Sequence, residues 1–126
     1  MKVYTSYFAR RREWERRGLF PIAICRFPPS WYEGAVFKEL SPKPDLLRRM
    51  KGGDDGAVAE YYSGLVADFT PKEIMDTLTE IAPDGKDIVL LCYEKPSDFC
   101  HRHLVAEYLN SEGYGVREFG DTQPFY

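Results

Sequence analysis

The sequence predicts an α/β domain of three layers, a mostly parallel sheet of about four strands flanked by helices. Residues 19–25 and 87–92 are short, almost wholly apolar runs bounded by turn residues, the pattern of strands buried on both faces. Between and after them the apolar spacing turns helical. Parallel strands need long crossovers, and helices that cover both faces of the sheet supply them. A chain of 126 residues, 44% apolar and 15% aromatic, suits a single domain over residues 1–126 with one core.

The elements follow in order. Residues 2–7 alternate weakly and are rich in Val, Tyr and Thr, an opening strand. Residues 10–17 hold five arginines and two glutamates, with Arg11/Glu15 and Glu13/Arg17 one turn apart, which reads as a short, solvated, self-paired helix. Gly18 precedes the buried run 19–25, whose Pro21 limits pairing near its start. Two prolines and three aromatics then make Arg26-Phe27-Pro28-Pro29-Ser30-Trp31-Tyr32 a loop that either walls a pocket or closes the core. From Pro44, Leu46, Leu47 and Met50 mark one helix. A Gly and Asp break at 52–56 leads to a second, with Val58, Tyr61, Tyr62, Leu65 and Val66 as its core-facing stripe. Thr70-Pro71-Lys72-Glu73 is a helix start with Thr as N-cap, Pro at the first position and Glu at the third, and Ile74, Leu78 and Ile81 form that helix's buried side. Pro83-Asp84-Gly85 ends it, residues 87–92 form the clearest buried strand, and a helix over about 98–112 and a short strand near 116–119 complete the chain.

Charge and composition exclude several functions. The formal net charge of −3 argues against nucleic acid held by phosphate neutralisation. No apolar run approaches the roughly 18 residues that span a bilayer, so no membrane partner is expected. The N-terminus turns charged at once, without the apolar stretch of a secretory signal, and a cytosolic location is expected. There the three cysteines stay as thiols, available for chemistry or packing rather than for stapling.

The chemistry-bearing segment is Leu90-Leu91-Cys92-Tyr93-Glu94-Lys95-Pro96-Ser97-Asp98-Phe99-Cys100-His101-Arg102-His103, which joins a buried strand to a helix. In open α/β sheets ligands bind beyond the carboxyl ends of the strands, where this junction lies. With Ser97 or Asp98 as cap after Pro96, Cys100 falls in the first helical turn, where free N–H groups and the helix dipole favour a thiolate. Cys100 is therefore the candidate nucleophile, His101 its proton partner and Glu94 a general acid or base. Cys100 and His101 precede the buried stripe of Leu104, Val105, Tyr108 and Leu109 by three or four residues, so both should face the end of the Cys92 strand. Arg102 is placed to reach over the helix N-terminus toward an anion, with Arg26 as a second clamp. A plainer reading makes the cysteines core residues and pairs Glu94 with Arg102 or Lys95.

Zinc is the competing chemistry, since Cys92, Cys100, His101 and His103 are all of ligand type. Adjacent helical residues diverge by about 100°, and no Cys-x-x-Cys supports them, so no metal is expected. The segment lacks both the Cys-x5-Arg spacing of tyrosine phosphatases and a P-loop, and no cofactor is indicated.

Leu-Cys-Tyr-Glu at 91–94 followed by Cys-His-Arg at 100–102 resembles the signature of the bacterial and phage domain-of-unknown-function family 488. Val3-Tyr4-Thr5-Ser6-Tyr7 and Arg26-x-Pro-x-Ser30 are similar to that family's other two marks. Ile24 and Tyr7 stand where members often carry Asp and Gly. The resemblance implies a compact α/β domain with a shared pocket at Thr5, Arg26, Cys92, Glu94, Cys100, His101 and Arg102, and it implies no established reaction. The resulting expectation is a protein that binds, and in an enzyme reading transforms, a small anionic, nucleotide-like or phosphorylated molecule. The alternative is a non-catalytic interaction module with structural Cys and His residues. The single-pocket reading requires the strands ending at Ser6, Cys25 and Cys92 to be parallel neighbours.

Overall fold

A computed structural model of the chain describes residues 1–94 and 99–120. Its sheet has five strands, all parallel, in the order β3-β2-β4-β1-β5: β1 Val3–Tyr7, β2 Phe20–Ala23, β3 Ala35–Val36, β4 Ile88–Cys92 and β5 Arg117–Glu118. β4 is the centre because every residue of Ile-Val-Leu-Leu-Cys is apolar, and all five are buried. It pairs β1 from Val3↔Ile88 to Tyr7↔Cys92, and β2 from Phe20↔Ile88 to Ala23↔Leu91. The carboxyl ends of β1, β2 and β4 therefore lie side by side, as a single strand-end site requires.

Side chains alternate across the sheet and divide the core. Ile88, Leu90 and Cys92 join Val3, Ile22 and Ile24 under the helices α2 Pro44–Lys51, α3 Asp55–Asp68, α4 Pro71–Ile81 and α5 His101–Asn110. Val89 and Leu91 join Ala23, Cys25, Phe8, Trp14 and Leu19 on the other face, below α1 Arg11–Arg16. The aromatic loop closes this second core: Tyr32 and Trp31 meet Phe8 edge-on at 5.4 and 6.0 Å between ring centroids.

Local signals account for most boundaries. Thr70 and Glu73 form a reciprocal capping box at the start of α4, with Pro71 in its first turn. The Asp54 carboxylate caps α3 by accepting from the Ala57 N–H at 3.2 Å. Three details differ from the sequence reading. The fifth strand, β3, has two residues, too few to show a period, and exists because Ala35 pairs with Ile22. On α3 the stripe runs Ala57, Tyr61, Leu65 at strict i,i+4 spacing, so Val66, rotated a further 100° or so, is 48% exposed. α5 begins at His101, later than expected, and Cys100 is its N-cap in extended conformation (φ −150°, ψ 138°). The capping residues proposed from sequence, Ser97 and Asp98, lie outside the described residues, as do Lys95 and Pro96.

Candidate functional site

β4 delivers Cys92 to the carboxyl edge of the sheet, and the chain returns to that edge at Cys100. Because Cys100 caps α5 instead of sitting inside it, the helical divergence between residues 100 and 101 does not apply. Their side chains converge on Cys92. The sulfurs of Cys92 and Cys100 and a ring nitrogen of His101 all lie within 4.8 Å of one another, and the three residues are 1%, 1% and 3% exposed. His103 stands outside this group, half-buried one turn along.

The His101 ring is oriented by β2. Its Nε2 lies 2.5 Å from the carbonyl oxygen of Ile24, and a carbonyl only accepts, so Nε2 carries the proton and donates. Both ring nitrogens stand near Cys92 Sγ, Nε2 at 3.8 Å and Nδ1 at 3.9 Å, and Nδ1 is the one not engaged by Ile24. Tyr61 of α3 closes the far side, its ring edge-on to His101 at 5.9 Å and its hydroxyl donating to the Leu40 carbonyl at 2.6 Å.

The three thiols are driven apart in acidity. For Cys100, burial alone raises the pKa, but hydrogen bonds from Cys92 and His101 and the charges of His101 and Arg102 outweigh it and hold the thiol well below its ordinary value. Burial, followed by its hydrogen bond to Cys100, pushes Cys92 well above that value. Burial also raises Cys25, at the end of β2, to about 11. Cys100 is thus the more acidic thiol of the pair and Cys92 the less acidic.

Behind the thiols lies a buried polar chain. Arg102 is fully buried, with Nε 3.0 Å from Glu118 Oε1 and Nη2 2.9 Å from Oε2, a bidentate pair. Thr5 on β1 donates its hydroxyl to the same Oε1 at 2.7 Å. Arg102 Nη1 donates to the Glu94 carbonyl at 2.6 Å and so fixes the chain just beyond β4. The expectation that Arg102 reaches outward to an anion is thereby corrected: its fork is turned inward, because Glu118 on the edge strand faces the same layer. The Glu94 carboxylate pairs instead with Lys51 at the end of α2, and that hydrogen bond raises the lysine's pKa. Arg26, on the loop after β2, is half-buried and lines a separate cavity of about 520 Å³ with Lys43, Pro44 and Asp45. Its Nε has no hydrogen-bond partner among the described residues.

Of the residues proposed from sequence, Cys92, Cys100 and His101 come together, Thr5 and Arg102 support them from behind, Glu94 is held by Lys51, and Arg26 lines the separate cavity. Sequence reasoning missed Glu118, Lys51 and Tyr61. Glu118 carried a signal: it shares strand parity with the apolar Val116, so a buried Val116 turns the carboxylate inward as well. Tyr61 showed only as part of a core-facing stripe and Lys51 gave no signal, since both arrive from helices whose docking the sequence does not specify. Cys92, Cys100 and His101 are also the residues that could hold a soft divalent ion such as zinc, with three ligands and an open position.

The architecture defines a class, a small parallel α/β protein with a buried Cys–Cys–His cluster at the carboxyl edge of its sheet. A family model described as the active DUF488-N3 subclade matches residues 8–113, and the chain belongs to that family, as the motifs at 91–94 and 100–102 imply. No curated protein and no solved structure matches the chain. Among the described residues no helix is long and apolar enough to cross a membrane.

Proposed function

We propose that this chain is a cytosolic protein that binds a small anionic molecule, nucleotide-like or phosphorylated, beyond the carboxyl ends of β1, β2 and β4, and that Cys100 is its nucleophile. The observation that carries the reading is the Cys92–Cys100–His101 cluster, a thiolate with a thiol donor and an imidazole within 4.8 Å at a parallel-sheet edge. His101, with Nε2 tied to Ile24, exchanges a proton through Nδ1. Glu94, held by Lys51, is the acid or base at the rim, and the Arg26 guanidinium is the anion contact. Arg102 acts as a positioning residue, its charge beside Cys100 and its Nη1 on the Glu94 backbone. The description of the matching subclade as active supports an enzyme over a passive module.

The test is a thermal-shift panel of nucleotides and sugar phosphates, run on the parent chain and on Cys100→Ser and Arg26→Ala. A ligand at about 100 times its Kd adds roughly 2.7 kcal/mol of stability. Stabilisation of the parent that Arg26→Ala loses, together with covalent trapping or turnover absent in Cys100→Ser, is the expected result. A panel in which no ligand loses its effect in Arg26→Ala or Cys100→Ser overturns the site, whereas a ligand that acts equally on all three proteins binds elsewhere. The second reading, a non-catalytic module with structural Cys and His residues, is favoured by the burial of the three donors, and metal content distinguishes it.

A further inference from the structure

A second cavity, of about 600 Å³, lies against the face of the sheet opposite Cys92 and Cys100, along the β1 and β5 edge. Tyr4, Arg10, Arg17, Tyr114, Arg117 and Phe119 supply its chemistry. Among the described residues Lys2 adds a fourth cation and Glu13 is the one carboxylate. On a chain of net charge −3 this concentrates positive charge in one recess. None of the ion pairs among the described residues involves Arg10, Arg17 or Arg117. The helix Arg11–Arg16 satisfies itself only through Arg11 and Glu15, at 3.0 Å, which leaves the arginines at its two ends for the cavity.

The recess is also aromatic and ordered. Tyr4 and Phe119 meet edge to face at 5.7 Å, with Arg17 over the Tyr4 ring at 5.8 Å and Arg10 over the Phe119 ring at 5.4 Å. Arg10 is fixed further by donating from Nη1 to the Phe119 carbonyl at 2.8 Å. Gly120, at φ +95°, keeps that place open, since a Cβ there would collide with the Arg10 guanidinium. The guanidinium planes laid over the two rings take a flat base by stacking, guanidinium groups also take phosphate oxygens, and the volume is that of a small-molecule site.

We propose that this cavity is a nucleoside-phosphate site separate from the thiol cluster, with the base against Tyr4 and Phe119 and the phosphates against Arg17 and Arg117. The recess admits one nucleotide, and the acidic remainder of the surface disfavours a polyanionic strand.

Isothermal titration calorimetry of the full chain with the four common ribonucleoside diphosphates tests it. At least one is expected to bind, with its nucleoside and inorganic phosphate each weaker by about tenfold or more. Arg17 and Arg117 are exposed, so the double variant Arg17→Gln/Arg117→Gln is expected to keep the parent melting temperature and lose the diphosphate by about tenfold or more, whereas Cys100→Ser keeps it. Should the double variant prove misfolded, Tyr4→Leu, at a half-buried position, is the substitute, with the same loss expected. Four outcomes overturn the proposal: no binding by any diphosphate, phosphate alone binding as well as the nucleotide, tighter binding of a single-stranded oligonucleotide, or loss of binding in Cys100→Ser with retention in the arginine variant.

Discussion

Arg102 and Glu118 meet fully buried, by two parallel hydrogen bonds of 3.0 and 2.9 Å that join α5 to the edge strand β5. The pair ties α5 to β5, and through Thr5 to β1, beside a mostly apolar core. A buried ion pair adds little over a well-packed apolar substitute, but removing one partner strands the other charge. Glu118→Ala is therefore expected to cost about 3–5 kcal/mol in urea unfolding, whereas Thr5→Val, which removes one donor to a carboxylate that keeps its arginine, should cost about 1–2 kcal/mol. A loss under about 1 kcal/mol in Glu118→Ala would mean that Arg102 finds water once its partner is gone.

The division of acidity among the thiols sets their order of alkylation. Cys100 is held as a thiolate, while Cys25 and Cys92 are pushed up by burial. Iodoacetamide is expected to label Cys100 first, at a rate that stays flat between about pH 6 and 8, where an ordinary thiol gains about tenfold per unit. Peptide mass spectrometry locates the adduct, and prior labelling of Cys25 or Cys92 would remove Cys100 from the nucleophile's role. Cys92→Ala deletes the sulfur donor to Cys100 and should bring back a rising pH dependence.

Stability should follow the same groups. The folded value of Cys100 lies below the 9.0 of an ordinary thiol, so the unfolded chain binds the additional proton up to that pH and this group's contribution grows as pH rises toward 9.0. Cys25 and Cys92 are raised, so their contributions are complete below 9.0 and decline as pH climbs through their folded values, about 11 for Cys25. The difference in unfolding free energy between the parent and Cys100→Ser should therefore widen from pH 6 to 9. A difference constant over that range would show that Cys100 is protonated in the native state.

The parallel sheet was legible because its central strand is apolar at every position and its crossovers carry strong helix signals at Thr70 and Pro71. The gathering of Cys92, Cys100 and His101 was legible too, although through an approximate geometry: a first-turn Cys100 was expected, and an N-cap Cys100 in extended conformation brings the side chains closer. The partners of the charged residues were not. Arg102 has the same sequence whether it points at solvent or at Glu118, and the choice is made by β5, whose two residues pair with Tyr4 and Thr5 more than a hundred positions away. Lys51 reaches Glu94 only because α2 docks with its C-terminus at the sheet edge, a packing outcome that periodicity does not encode.

Metal content separates the two readings of the thiol cluster. Zinc held by two cysteines takes both as thiolates, and the charge it supplies replaces other stabilisation of those anions. Here Arg102 already supplies a fixed positive charge beside both sulfurs. No fourth ligand stands with the group among the described residues. The chain purified under reducing conditions without chelator is therefore expected to hold no stoichiometric zinc by elemental analysis, and added chelator should leave its melting temperature unchanged. One zinc per chain, lost together with the fold in Cys92→Ser, would reverse this assignment. Cys100 would then be a ligand, and the nucleophile proposed for the strand-end site would have to be abandoned.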